Sequence, residues 1–86
     1  MKVIAMPVQM VASFDDKGRV RPIKFRWMHR GENRVIQVDQ IISQQSRQIA
    51  GTPMILFDCH STIDDQLVYY QLKYDVTANT WILFKM

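Results

Sequence analysis

The chain of 86 residues contains only one cysteine, three glycines and three prolines. A single cysteine, Cys59, cannot form a disulfide within the chain, so a secreted disulfide scaffold is excluded and a reducing cytoplasm is expected. The glycines lack the spacing of a phosphate-binding loop, which excludes nucleotide binding through such a motif. No run of Gly, Ser or Pro marks a linker, so we expect residues 1–86 to form a single domain.

Long apolar runs are also absent. The longest uncharged stretch near the start, residues 3–14, includes Pro7 and Gln9 and is well short of the roughly 20 apolar residues that a membrane helix needs. Its apolar residues alternate with others, which favours an N-terminal strand over a signal peptide. We therefore expect no membrane partner.

The residues that are present favour β-structure. Hydrophobic residues make up 48% of the chain and recur with period two between turn residues. The pattern predicts strands at residues 3–14, 20–29, 34–40, 53–61, 67–76 and 80–86. Between the third and fourth strands, Ile42, Ser46 and Ile49 recur at helical spacing before Gly51, which predicts one short helix over 40–50. The predicted fold is mainly β: a six-stranded antiparallel meander that forms a small barrel or strongly curled sheet, with that helix between strands 3 and 4.

Hairpin registers determine which side chains share a face. A turn at residues 76–79, with Asn79 left-handed, pairs Tyr74 with Ile82 and sends Trp81 to the opposite face. Similar registers for the first two hairpins give a continuous apolar row. The predicted core consists of Ile4, Met6, Val8, Met10, Phe14, Ile23, Phe25, Trp27, Ile36, Val38, Ile55, Phe57, Tyr70, Leu72, Tyr74, Ile82 and Phe84.

These registers also leave apolar side chains on the outer face of the C-terminal half. The candidate partner-binding residues are Leu56, Tyr69, Trp81 and Leu83. Either the predicted helix or a second copy of the protein could cover them. An uncovered patch predicts a small interaction module that binds a protein partner or itself.

Positive charge is concentrated in one segment. Residues 17–34 carry seven basic side chains against the single acid Glu32, whereas the rest of the chain has four bases and seven acids. Strand alternation points Lys24 and Arg26 outward and Phe25 inward, so no aromatic platform accompanies the charge. Such a strip suits phosphate backbones, but a solvated face or a docking site for an acidic partner accounts for it more simply. The candidate nucleic-acid-binding residues are Lys24, Arg26, Arg30 and Arg34.

One triplet, Asp58-Cys59-His60, resembles a catalytic group. Alternation along a strand sends Cys59 to the core and its two neighbours outward, so no nucleophile and base meet there. Asp58 and His60 share a face and could hold a metal with His29, but no recognised ligand spacing is present. We expect no catalytic residue, metal site or cofactor, and hence no enzyme.

Four segments carry a family resemblance. They are Pro22-x-x-Phe25-x-Trp27, Arg34-Val35-Ile36-x-Val38, Tyr70-x-Leu72-x-Tyr74 and Trp81-x-Leu83. Together they resemble the core pattern of a group of short, uncharacterised bacterial all-β proteins over roughly residues 20–40 and 67–86. Because these are packing residues, the resemblance implies a shared fold and no assigned active site. Some proteins of this kind are similar to segments found near translesion DNA polymerases, which implies a nucleic-acid-related role.

Overall fold

The computed structural model describes residues 1–86, with His29 described by its backbone alone. The strands are β1 (Val3–Phe14), β2 (Val20–His29), β3 (Glu32–Gln37), β4 (Gln40–Ile49), β5 (Thr52–Ile63), β6 (Gln66–Asp75) and β7 (Thr80–Lys85). They form one antiparallel sheet in the order β3-β2-β1-β7-β6-β5-β4. The described residues form no helix, and therefore none that could cross a membrane.

The helix predicted for residues 40–50 is wrong. These residues form β4, which pairs with β5 across a two-residue turn at Ala50 and Gly51. Both turn residues have positive φ angles, 50° and 81°, as a type I′ hairpin requires. Gly51 is thus the second residue of a hairpin turn and does not cap a helix, and the spacing of Ile42 and Ile49 does not reflect a helical face.

The prediction of six strands, and of a closed barrel as one form of the sheet, is also wrong: the structure has one open sheet of seven strands. Its two edge strands, β3 and β4, follow each other in the chain but do not pair. β1 joins the two halves, because residues 3–8 pair with β7 and residues 9–14 pair with β2. The halves face each other, and the ring of Phe25 on β2 meets that of Tyr70 on β6 edge-on, with centroids 5.6 Å apart.

The core lies between these two halves. It contains Val20, Phe25, Trp27, Ile36, Phe57, Cys59, Tyr70, Leu72, Tyr74, Trp81 and Leu83. Most of the buried aromatic residues were predicted to be there. Three residues predicted for the core are exposed instead, namely Met6, Phe14 and Ile23.

The last hairpin differs from its predicted register by one residue, which reverses the faces of β7. Tyr74 pairs with Trp81, so Trp81 points into the core. The cause is Asp75, whose carboxylate accepts hydrogen bonds from the backbone N–H groups of Thr77 and Ala78, both at 3.0 Å. This side chain stabilises a turn in which Asp75 pairs with Thr80, whereas the predicted turn paired Val76 with Thr80. The left-handed conformation predicted for Asn79 is confirmed by its φ of 57°.

Side chains bridge the gap where β3 approaches β5. The Ser61 hydroxyl donates to the carbonyl of Gln37 at 2.5 Å, and its oxygen lies 2.6 Å from the hydroxyl of Tyr70. The backbone N–H of Thr62 donates to the Asp39 carboxylate at 2.8 Å. These bonds hold the sheet curled without closing it into a barrel.

Candidate functional site

A β-bulge in β2 aligns three cations on one side of the sheet. The pairing with β1 shifts between Pro22 and Lys24, which leaves Ile23 as the extra residue. In an unbroken strand Arg21 and Lys24, three residues apart, would point to opposite faces. Because of the bulge, Arg21, Lys24 and Arg26 share the outer face.

We call the outer side of β1, β2 and β3 the basic face. It consists of Gln9, Val11, Ser13, Arg21, Lys24, Arg26, Met28, Asn33, Val35 and Gln37, all exposed. No acidic residue belongs to it. The two ion pairs among the described side chains, Arg19 with Asp15 and Arg34 with Asp64, involve none of its three cations. The charge on this face is therefore uncompensated.

A shallow groove of about 290 Å³ crosses the middle of the basic face. Its walls include the aliphatic side chains of Val11 and Val35, with Gln9, Lys24 and Arg26 beside them. Lys24 and Arg26 are two strand positions apart, which separates their Cα atoms by roughly 7 Å. The groove thus offers two cations and one amide donor to a ligand that lies across the strands.

The structure brings together only part of the predicted basic strip. Lys24 and Arg26 lie side by side, and Arg30 lies in the exposed turn between β2 and β3. Arg34 pairs with Trp27 across β2 and β3, so it lies on the face opposite to Lys24 and Arg26. There its guanidinium donates to the Asp64 carboxylate at 2.7 Å. Arg34 therefore does not share a face with Lys24 and Arg26.

Arg21 is the cation that sequence reasoning missed. The signal was Pro22, which lacks a backbone N–H and so favours a strand edge or a bulge when it occurs within a strand. A bulge next to Pro22 would have predicted the shared face of Arg21 and Lys24.

The predicted apolar patch is not a single surface. Trp81 and Leu83 are only 7% and 0% exposed and belong to the core. Leu56 is half-buried on the outer face, and Tyr69 is 52% exposed. The expectation that these four residues form one exposed patch is therefore wrong, because the register of the last hairpin reverses β7.

Other apolar residues of β7 occupy that outer face. The ring of Phe84 is partly covered by Lys73, whose amine lies 3.3 Å from the ring centroid. Burial, with a smaller contribution from Lys85, lowers the pKa of Lys73. This side of the sheet offers less free apolar surface than the sequence indicated.

The triplet in β5 has no arrangement for catalysis. The Cys59 thiol is buried, and burial together with the nearby Asp58 charge raises its pKa to about 12. It remains a neutral thiol, which is a poor nucleophile. The Asp58 carboxylate accepts hydrogen bonds from Ser43 and Gln71, at 2.9 Å and 3.1 Å. His60 instead packs its ring edge-on against a neighbouring tyrosine.

No group of three or more His, Cys, Asp or Glu side chains able to hold a metal occurs among the described residues. The side chain of His29, the third ligand considered from the sequence, lies outside the description. Comparison of the chain with protein-family models, curated proteins and solved structures gave no match. The basic face is therefore the main guide to function.

Proposed function

We propose that the protein is a small non-catalytic interaction module of the bacterial cytoplasm that binds the phosphate backbone of single-stranded nucleic acid through the basic face. The observation that carries this proposal is the bulge at Ile23, which aligns Arg21, Lys24 and Arg26. None of these cations has an ion-pair partner among the described side chains. The resemblance to short, uncharacterised bacterial all-β proteins, some of which are similar to segments found near translesion DNA polymerases, supports the nucleic-acid role, and the single cysteine supports the reducing cytoplasm.

The chemistry of the face suits a phosphate chain. Lys and Arg neutralise phosphates and release the counterions condensed around them. The amides of Gln9, Asn33 and Gln37 lie on the same exposed face and can donate to phosphate or sugar oxygens. The surface is open and shallow, so it can follow a flexible strand.

Sequence preference is expected to be weak. Stacking on aromatic side chains is a main source of base contacts in single-strand binders. Here Phe25 and Trp27 are buried in the core, and the exposed residues beside the cations are aliphatic. Binding should therefore rest on phosphate contacts, with dissociation constants of about 10⁻⁴ to 10⁻⁶ M, as is typical of sequence-independent binding.

Fluorescence anisotropy with a labelled mixed-sequence single-stranded oligonucleotide tests this proposal. The variant carrying Lys24→Glu and Arg26→Glu should lose binding. The matched control carries Lys2→Glu and Lys85→Glu, which change the net charge equally but lie outside the basic face, and it should retain most of the affinity.

Two results would contradict the proposal. Equal losses in both double variants would show that net charge alone attracts the oligonucleotide. Absence of binding by the wild-type chain at low salt, with binding of an acidic polypeptide such as poly-glutamate, would assign the basic face to an acidic protein partner.

A further inference from the structure

One edge of the sheet is left open along a whole strand. β4 pairs with β5 on one side only, and all of its residues except Ile41 are exposed. The other edge strand, β3, is bridged to β5 by the bond from Ser61 to the Gln37 carbonyl, and Thr62 of β5 bonds to Asp39 just after β3. The free backbone N–H and C=O groups of β4 therefore form a template for another strand.

β4 carries few of the features that normally block such pairing. It has no proline, its bulge lies at the start between Ile41 and Ser43, and Arg47 is its only charged residue. From Ser43 to Gln48 every side chain is polar. An exposed strand of this composition can add a neighbour without exposing or burying a large apolar surface.

We propose that β4 pairs with β4 of a second copy, antiparallel about a two-fold axis at Gln45, so that the sheet continues across both copies. A two-fold axis perpendicular to the sheet makes the two β4 strands antiparallel, and it places the outer faces of both copies on the same side of the continued sheet. In this register Arg47 lies opposite Ser43 of the second copy.

Charge complementarity supports this occupant. The Ser43 hydroxyl donates to the Asp58 carboxylate at 2.9 Å, and the two residues pair across β4 and β5 on the outer face. Arg47 of one copy therefore lies one strand away from Asp58 of the other. Its guanidinium donates to Gln45 of its own strand at 2.7 Å, and rotation of this long, exposed side chain brings it within reach of Asp58 of the second copy. The two-fold axis repeats this contact, so the edge is complementary to itself.

The neutral residues of the strand are also self-complementary. Gln45 opposes its own copy, and Gln44 opposes Ser46 on the inner face. Amides and hydroxyls both donate and accept hydrogen bonds, so identical strands satisfy one another. Because Arg47 is the only cation of β4, this edge is poorly suited to a polyanion or another strongly charged partner.

The association should be weak and dependent on concentration. Backbone groups alternate in direction, so about five residues of β4 direct bonds toward the free edge. A single strand pair also buries less than the standard interface of about 1,600 Å². This inference does not depend on nucleic-acid binding, because the basic face lies on other strands.

Sedimentation equilibrium over a range of protein concentrations tests the dimer. The wild-type mass should rise toward twice that of the chain. Gln45→Lys places two cations together at the axis and should weaken the dimer at least about tenfold, whereas Gln66→Lys, the same change at an exposed site on β6, should not. A wild-type chain that stays monomeric at the highest concentration, or equal behaviour of the two variants, would overturn the inference.

A charge exchange tests the register. Arg47→Asp and Asp58→Arg should each weaken the dimer, and the double variant should recover most of the wild-type association. Circular dichroism and thermal unfolding establish that each variant is folded. Failure of the double variant to recover, although folded, would show that β4 does not pair about Gln45.

Discussion

The hydroxyl oxygens of Ser61 and Tyr70 lie 2.6 Å apart, and both residues are only 1% exposed. Because the Ser61 hydrogen is donated to the Gln37 carbonyl, Tyr70 is the donor in this pair. The resulting chain of bonds runs from β6 through β5 to β3. It takes the place of the backbone ladder that β3 and β4 would form in a closed barrel.

We predict that Ser61→Ala destabilises the fold by about 1–3 kcal/mol, because it leaves the buried Tyr70 hydroxyl without its acceptor. Tyr70→Phe should cost less, since Ser61 keeps the Gln37 carbonyl as a partner. Urea unfolding of both variants and of the double variant measures the coupling. Strictly additive losses would show that the two hydroxyls act independently.

We predict that stability falls as the pH rises above 9. The Cys59 thiol has a pKa of about 12 in the folded chain against a usual 9.0, because it is buried. Burial also raises the pKa of Tyr70. Between pH 9 and 12 the unfolded chain releases a thiol proton that the folded chain retains, so unfolding becomes more favourable.

Cys59→Ala removes the thiol's contribution to this fall. Its stability should be lower than wild type at pH 7, because a buried side chain is truncated, but should decline less steeply with rising pH. Parallel curves for the two proteins between pH 8 and 11 would contradict the assignment of part of the slope to Cys59.

The turn between β4 and β5 offers a stabilising change. Ala50 has a φ of 50°, which costs an ordinary residue roughly 1–2 kcal/mol. We expect Ala50→Asn, which creates an Asn-Gly type I′ turn, to raise the free energy of unfolding by about 0.5–1 kcal/mol.

Gly51→Ala should have the opposite effect, with a loss of about 1 kcal/mol. A Cβ at Gly51 would meet no atom within 4 Å, so its φ of 81° is the only source of strain. Thermal unfolding of the variants at both positions measures the difference. An unchanged midpoint for Gly51→Ala would mean that the turn adopts another conformation.

Arg34, which pairs with Asp64, is a cation outside the basic face, so its substitution can be compared with that of a cation on the face. We expect Arg34→Ala to lower stability by less than about 1 kcal/mol, because the pair is exposed to solvent. Oligonucleotide affinity should not change, whereas Arg26→Ala should reduce it. Equal losses of affinity in the two variants would contradict the placement of Arg34 outside the basic face.

Much of the fold could be predicted from alternation along the strands, including the buried positions of Phe25, Phe57 and Leu72. The positions of the turns were harder to predict. Arg30 and Ala50 occupy left-handed positions that usually hold Asn or Gly, so the sequence did not indicate the position of either turn. At Asp75 the capping carboxylate moved the closure by one residue, and the faces of β7 reversed.

The candidate site could be predicted where strand alternation determines the face of a side chain. It could not be predicted where a β-bulge changes that face. Lys24 and Arg26 follow directly from the strand pattern. Arg21 joins them only through the bulge at Ile23. Alternation places Arg34, two residues before the buried Ile36, on the opposite face, whereas its ion pair with Asp64, 30 positions later in the chain, could not be predicted. Contacts of that range have no local signature in a single sequence.

The salt dependence of oligonucleotide binding tests the central claim most directly. Three phosphate contacts, one for each cation of the basic face, predict that the logarithm of the association constant falls with the logarithm of salt concentration with a slope of about −2. Arg26→Ala should reduce the magnitude of that slope by about 0.7. A slope near zero, or one that Arg26→Ala leaves unchanged, would contradict phosphate binding by the basic face.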